Sequence, residues 1–140
     1  MKQFRFTMIA VMTLLLLVGM ASAGYDIAVS GVSASGLVAR AAGDISYTLE
    51  NVGDADYTGG ETVTVDFGDG NTATATIPDT IAPGESNDYT ASNTYALGGD
   101  YDVSATFDGA DDSAANDVAS ATITVADAPF DITLPDASFG

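Results

Sequence analysis

From Gly24 onward, apolar and polar residues alternate with a period of two in short runs, and clusters of Gly, Pro, Asn and Asp interrupt them at roughly ten-residue intervals. A period of two places every second side chain on the same face, which is the pattern of strands buried on one side. In 25–32, Tyr25, Ile27 and Val29 share a face opposite Asp26, Ala28 and Ser30. In 44–49, Ile45, Tyr47 and Leu49 point inward, and Asn51-Val52-Gly53-Asp54 supplies turn chemistry to end the run. Val63, Val65 and Phe67 alternate with Thr62, Thr64 and Asp66, and Gly68-Asp69-Gly70-Asn71 then predicts a hairpin into 72–77. Pro78 and Pro83 lack backbone donors, so 78–86 reads as a loop. Further strands are expected over 88–95, over 100–107 with Tyr101, Val103, Ala105 and Phe107 on one face, and over 118–125 with Ala119, Ala121, Ile123 and Val125 inward.

Seven strands and no helical period predict an all-β chain, an immunoglobulin-like antiparallel β-sandwich of about seven strands. Several inward positions are Ala, so the core is expected to be thin. The first residues follow another rule. Lys2 and Arg5 precede an apolar run broken by Thr7 and Thr13, and Ala21-Ser22-Ala23 offers small residues at a cleavage position. This is the order of a secretory signal peptide, with Gly24 as the mature N-terminus. The expected organisation is therefore a hydrophobic signal-peptide helix over 1–23, a sandwich over 24–126 and a tail over 127–140, in a protein that is secreted and extracellular or at the cell surface.

Charge narrows the partners. The chain has 3 basic residues against 20 acidic ones, with no His, Cys or Trp. Cleavage after Ala23 would leave Arg40 as the sole basic residue. Such a surface repels phosphate backbones and anionic headgroups, so neither nucleic acid nor membrane lipid is an expected partner of the mature domain. Disorder is not expected, because β-branched and aromatic residues recur along the whole chain. The carboxylates suit a solvated surface adapted to high salt. Without cysteine, stability must come from the core or from assembly.

Five segments stand out: Asp26-Ile27-Ala28-Val29 with Val32, Ala42-Gly43-Asp44, Leu49-Glu50-Asn51-Val52-Gly53, Ile81-Ala82-Pro83-Gly84-Glu85-Ser86, and Asp111-Asp112-Ser113 with Asn116. Together they resemble the CARDB family, the cell-adhesion-related domain of bacteria and archaea. The resemblance covers nearly all of the chain from Gly24 to Val125, and it implies an immunoglobulin-like sandwich in an exported surface protein. Asp66-Phe67-Gly68-Asp69-Gly70 and Gly98-Gly99-Asp100-Tyr101-Asp102-Val103 are similar, more weakly, to the polycystic-kidney-disease-type domain, with Val65 where that family has tryptophan. Neither resemblance brings a catalytic motif.

An enzyme is not expected, because after Ala23 the chain lacks the His, Cys and Lys that serve most acid–base and nucleophilic chemistry at neutral pH. No cofactor is expected, calcium being the one candidate. Asp108, Asp111, Asp112 and Asp117 crowd one loop and form the candidate metal set; Asp66, Asp69 and Asn71 crowd another. Neither has the ligand spacing of an EF-hand, and solvated turn acids are the plainer reading. In the tail, Phe130, Ile132 and Leu134 alternate with Asp131 and Thr133 before Pro135. That stretch would serve as an extra edge strand, as a strand donated to a neighbouring copy, or as a frayed end. The function expected from all this is a non-catalytic module for adhesion or envelope structure with a protein or glycan partner at the cell surface. The alternatives are a filament subunit, a homo-oligomer built through the C-terminal tail, and a calcium- or glycan-binding extracellular protein.

Overall fold

The computed structural model describes residues 24–130. The signal peptide expected over 1–23 and the strand pattern that runs on through Ile132 and Leu134 lie outside the described residues.

Seven strands form where the period-two runs lie: β1 (Ile27–Ser33), β2 (Ala42–Asn51), β3 (Thr62–Asp66), β4 (Thr72–Thr76), β5 (Ser86–Thr94), β6 (Gly99–Phe107) and β7 (Val118–Val125). They make two antiparallel sheets, one ordered β1-β2-β5 and the other β4-β3-β6-β7. No helix occurs among the described residues. The alternation fixes which side chains meet. Ile27 and Val29 of β1, Ile45, Tyr47 and Leu49 of β2, Val63 and Val65 of β3, Val103, Ala105 and Phe107 of β6, and Ile123 and Val125 of β7 are all buried between the sheets.

One break in the pattern is corrected by the backbone. Gly31 sits at φ 65°, and the β1–β2 register shifts between Ser30 and Ser33. The extra residue is a β-bulge that a glycine accommodates, and it turns Val32 inward where strict alternation would have buried Gly31. The hairpin predicted at 68–71 is present, with Phe67 N–H donating to Asn71 O at 3.1 Å and both Gly68 and Gly70 at positive φ. The apolar run after Gly98 also behaves as expected from Asp100 to Phe107.

Residues outside the expected strands also contribute to the core. Tyr57 and Ile81 form an antiparallel bridge, with N–H to O distances of 3.0 and 2.9 Å, and both are fully buried. Tyr57 packs edge-on against Phe107 and Tyr25, at centroid distances of 5.8 and 5.2 Å. Its hydroxyl accepts from Glu61 N–H at 3.1 Å. Leu37 and Ala39 are buried as well, on a segment that bonds to Ala126 beside the end of β7.

Candidate functional site

The acidic loop between β6 and β7 folds back over the start of β1, and the four aspartates of the expected metal set are sent to different places. Asp108 leaves the loop altogether. Its Oδ2 accepts from Thr62 Oγ1 at 3.0 Å and Thr64 Oγ1 at 2.8 Å on the outer face of β3. Asp111 acts as a backbone acceptor, with Oδ2 taking Ile27 N–H at 2.7 Å and Oδ1 taking Ser113 N–H at 3.1 Å. Asp112 is exposed, and its carboxylate lies against Gly24.

Asp117 differs from all of these. It is only 8% exposed, and its Oδ1 is buried with no hydrogen-bond partner. Burial, and after it the charges of Asp111 and Asp26, push its carboxyl above the ordinary aspartate range. The preceding residue repeats the pattern: Asn116 Nδ2 donates to Asp26 Oδ1 at 2.8 Å, while Asn116 Oδ1 is buried without a partner. The bond from Nδ2 fixes which way the amide faces, so the bare acceptor is its oxygen. Among the described residues, no three or more carboxylates are arranged as a ready-made metal chelate. The structure instead brings Asp111 and Asp117 to Asp26 and Asn116, and leaves Asp108 and Asp112 apart from them.

No local pattern marks Asp26 and Asn116 as neighbours, since 90 residues separate them. Alternation put Asp26 on the outward face of the first strand, where a solvated acid is the default reading.

In the second acidic turn, Asp69 Oδ1 accepts from Asn71 N–H at 2.9 Å, and Oδ2 accepts from Asn71 Nδ2 at 3.1 Å and Asn93 Nδ2 at 2.9 Å. Burial raises its pKa, but the bonds from Asn93 and Asn71 outweigh that and hold it below the usual value. Asp66 Oδ1 accepts from Gly68 N–H at 2.8 Å. These carboxylates shape the hairpin and pin it to β5. Beside them lies an open depression of about 350 Å3 lined by Ala42, Asn71, Ser92, Asn93 and Thr94.

The third notable polar group is Asn51, which ends β2 fully buried. Its Nδ2 donates to Ala55 O and Ile81 O, both at 2.8 Å, and its Oδ1 accepts from Gly53 N–H at 3.1 Å and Asp26 N–H at 3.3 Å. Its backbone bonds Glu85 O and Gly84 N–H at 3.0 and 2.7 Å. Asn51 thus ties the Asn51-Val52-Gly53 turn to the segment 81–85, with its side chain on Ile81 O and its backbone on Gly84 and Glu85.

The CARDB family profile matches residues 25–119, a span that holds both of these turns and the acidic loop. The chain belongs to the CARDB family. Its fold is similar to the crystal structure of the CARDB domain of the PF1109 protein from Pyrococcus furiosus in complex with di-metal ions, at 20% identity, a TM-score of 0.59, and coverage of 73% of this chain and 89% of that one. The solution NMR structure of the same PF1109 domain is similar at 21% identity, with a TM-score of 0.58 and coverage of 73% and 95%. No match was found among curated proteins. The two sheets are thus the immunoglobulin-like sandwich of a CARDB module, and Asn51 is the internal clasp of that module in this chain.

Proposed function

We propose that this CARDB module is non-catalytic, is exported to the cell surface or beyond, and makes adhesive or envelope-building contacts with a protein partner. The observation that carries this reading is the bare edge of the four-stranded sheet. Among the described residues β4 pairs only with β3, and its sequence is Thr72-Ala73-Thr74-Ala75-Thr76. Edge strands are normally guarded by Lys, Pro, inward charge or a bulge, because unpaired N–H and C=O groups are a template for another strand. β4 has none of these guards, and four of its five residues are exposed. A partner strand added there would gain backbone hydrogen bonds along an edge with no charged side chain to remove.

The order of the first residues supports export, and the shortage of acid–base residues supports a role in contact over catalysis. The test is fractionation of cells producing the full chain and a Thr74→Lys variant, whose added charge lies on the solvent face. The expected product outside the cell begins at Gly24, and the variant keeps its melting temperature but is released from the surface or from its assembly. Retention of the variant equal to that of the parent removes the β4 reading. A product that stays in the cytosol with residues 1–23 attached removes export. Deleting 127–140 separates a donated tail from an outside partner, since only the former loses assembly with the tail.

A further inference from the structure

Asn116 Oδ1 and Asp117 Oδ1 are buried on consecutive residues, and none of the contacts described above satisfies either of them. We propose that Asp117 Oδ1 and Asn116 Oδ1 anchor a divalent cation of the calcium class at the junction of the β6–β7 loop with the start of β1, with Asp26 and Asp111 supplying the neighbouring negative charge. Two buried acceptors lack donors, and an acceptor without a donor in a water-poor place is costly. Asp26 is joined to this pair by the 2.8 Å bond from Asn116 Nδ2, and Asp111 by its 2.7 Å bond to Ile27 N–H, the residue after Asp26.

No side chain among the described residues is placed to neutralise the group. Arg40 is the sole basic residue among the described ones, and it lines a separate recess with Leu97, Asp127, Ala128, Pro129 and Phe130. What remains is a proton on Asp117 or a metal ion. The donor set decides the class of ion. Carboxylate and amide oxygens without nitrogen or sulfur suit a hard cation, and an irregular set completed by water suits calcium better than the strict octahedron of magnesium. Asp26 and Asp111 already bond Asn116 Nδ2, Ile27 N–H and Ser113 N–H, so the ion would add ligands to a preformed loop and would not have to build it. This inference does not depend on where the protein resides or on the β4 edge.

The experiment uses the full chain stripped with EDTA, in about 1 M NaCl so that general screening of the acidic surface is already saturated. The expected result is a melting temperature that rises by about 5 °C or more in about 10 mM CaCl2, with a dissociation constant on the order of 10⁻⁴ to 10⁻³ M by calorimetry. Tb3+ should bind at the same place with luminescence sensitised through Tyr25, whose backbone O accepts from Asp112 N–H, and Ca2+ should displace it. Asp117→Asn should lose the calcium response, yet melt above the parent protein in EDTA because the buried unpaired charge is gone. Asp108→Asn, tied to β3, should respond like the parent. Should Asp117→Asn fail to fold, Asp26→Asn keeps the acceptor for Asn116 and should weaken calcium binding tenfold or more. Absence of heat, of a melting shift and of displaceable Tb3+ luminescence would overturn the proposal. Equal responses in Asp117→Asn and the parent would overturn it too, by showing that calcium acts elsewhere.

Discussion

Replacing Asn51 by Ala tests whether one buried amide holds the two family turns together. The substitution removes four hydrogen bonds: two from Nδ2, to Ala55 O and Ile81 O, and two to Oδ1, from Gly53 N–H and Asp26 N–H. The four are not equal. Ile81 O retains the bond from Tyr57 N–H at 3.0 Å, so it is not left bare. Gly53 N–H and Asp26 N–H lie in partly buried bonds near the surface and can turn to water. Ala55 O also lies in a partly buried bond, so the main loss is the buried bond to Ile81 O together with the small cavity that opens. At about 1 kcal/mol for each of the two bonds from Nδ2 and about 1 kcal/mol for the cavity, the total is about 3 kcal/mol. A domain of this size has a net stability of about 5–15 kcal/mol, so that is a large share. With a urea slope of about 1.5 kcal/mol per molar, the unfolding midpoint should fall by about 2 M while the slope stays unchanged. Glu50→Ala, exposed on the adjacent position, should move it by less than about 0.3 M. Asn51→Asp should be worse than Ala at neutral pH, because it turns a carboxylate oxygen toward the two carbonyls. Part of that excess should vanish in acid, where a protonated carboxyl can donate. A midpoint shift for Asn51→Ala within that of Glu50→Ala would refute the clasp.

Gly53→Ala should cost about 2 kcal/mol or more by urea titration, since its Cβ would lie 2.6 Å from Asp26 N and against Gly24 O, both backbone atoms that cannot rotate away. Tyr57→Phe should cost about 1 kcal/mol in the same assay, because the hydroxyl accepts from Glu61 N–H and donates to Ile77 O inside the core. The melting temperature should climb with NaCl from about 0.01 to 1 M, as the screening length falls from about 30 to 3 Å around an excess of carboxylates; a flat profile would argue against an acidic surface suited to salt. Asp69 has a folded pKa below its unfolded one, so its contribution is complete above about pH 4 and fades as pH falls through the folded value. Melts below about pH 4 should therefore fall less steeply for Asp69→Asn than for the parent.

The strands and their inward faces could be read from the chain because each is carried by a local period. In 118–125, Ile123 and Val125 are buried and β7 has the predicted limits. Val63, Val65 and Phe67 behave the same way. Tyr57 and Ile81 could not be read, because a lone apolar residue among Gly, Asp and Pro has no period, and only the bridge across 24 positions reveals its burial. The strand β5 begins at Ser86, two residues before the expected start, since pairing with Glu50 at the end of β2 extends it past the point where alternation is visible. The candidate acids show the same limit. Crowding in sequence grouped Asp108 with Asp117, but Asp108 directly follows β6 and turns to the threonines of β3, a direction set by sheet register.

Asn51 and Asp117 are the two polar residues buried in the described chain, and their surroundings assign them opposite roles. Asn51 has a partner for both side-chain hydrogens and two donors for its oxygen, so nothing is left for a ligand and its burial stabilises the fold. Asp117 has an oxygen with none, the residue before it has an amide oxygen with none, and the charges of Asp111 and Asp26 act on Asp117. Both residues stand beside Asp26: its backbone N–H serves Asn51, and its carboxylate takes the bond from Asn116. A cation drawn to Asp117 would therefore pull on the same residue that the clasp holds, which couples the acidic loop to the turn at 51–55. Calcium should accordingly raise the stability of Asn51→Ala by at least as much as that of the parent, because the loosened Asp26 gains a second anchor; a smaller gain in the variant would mean that the clasp must form before the loop can bind.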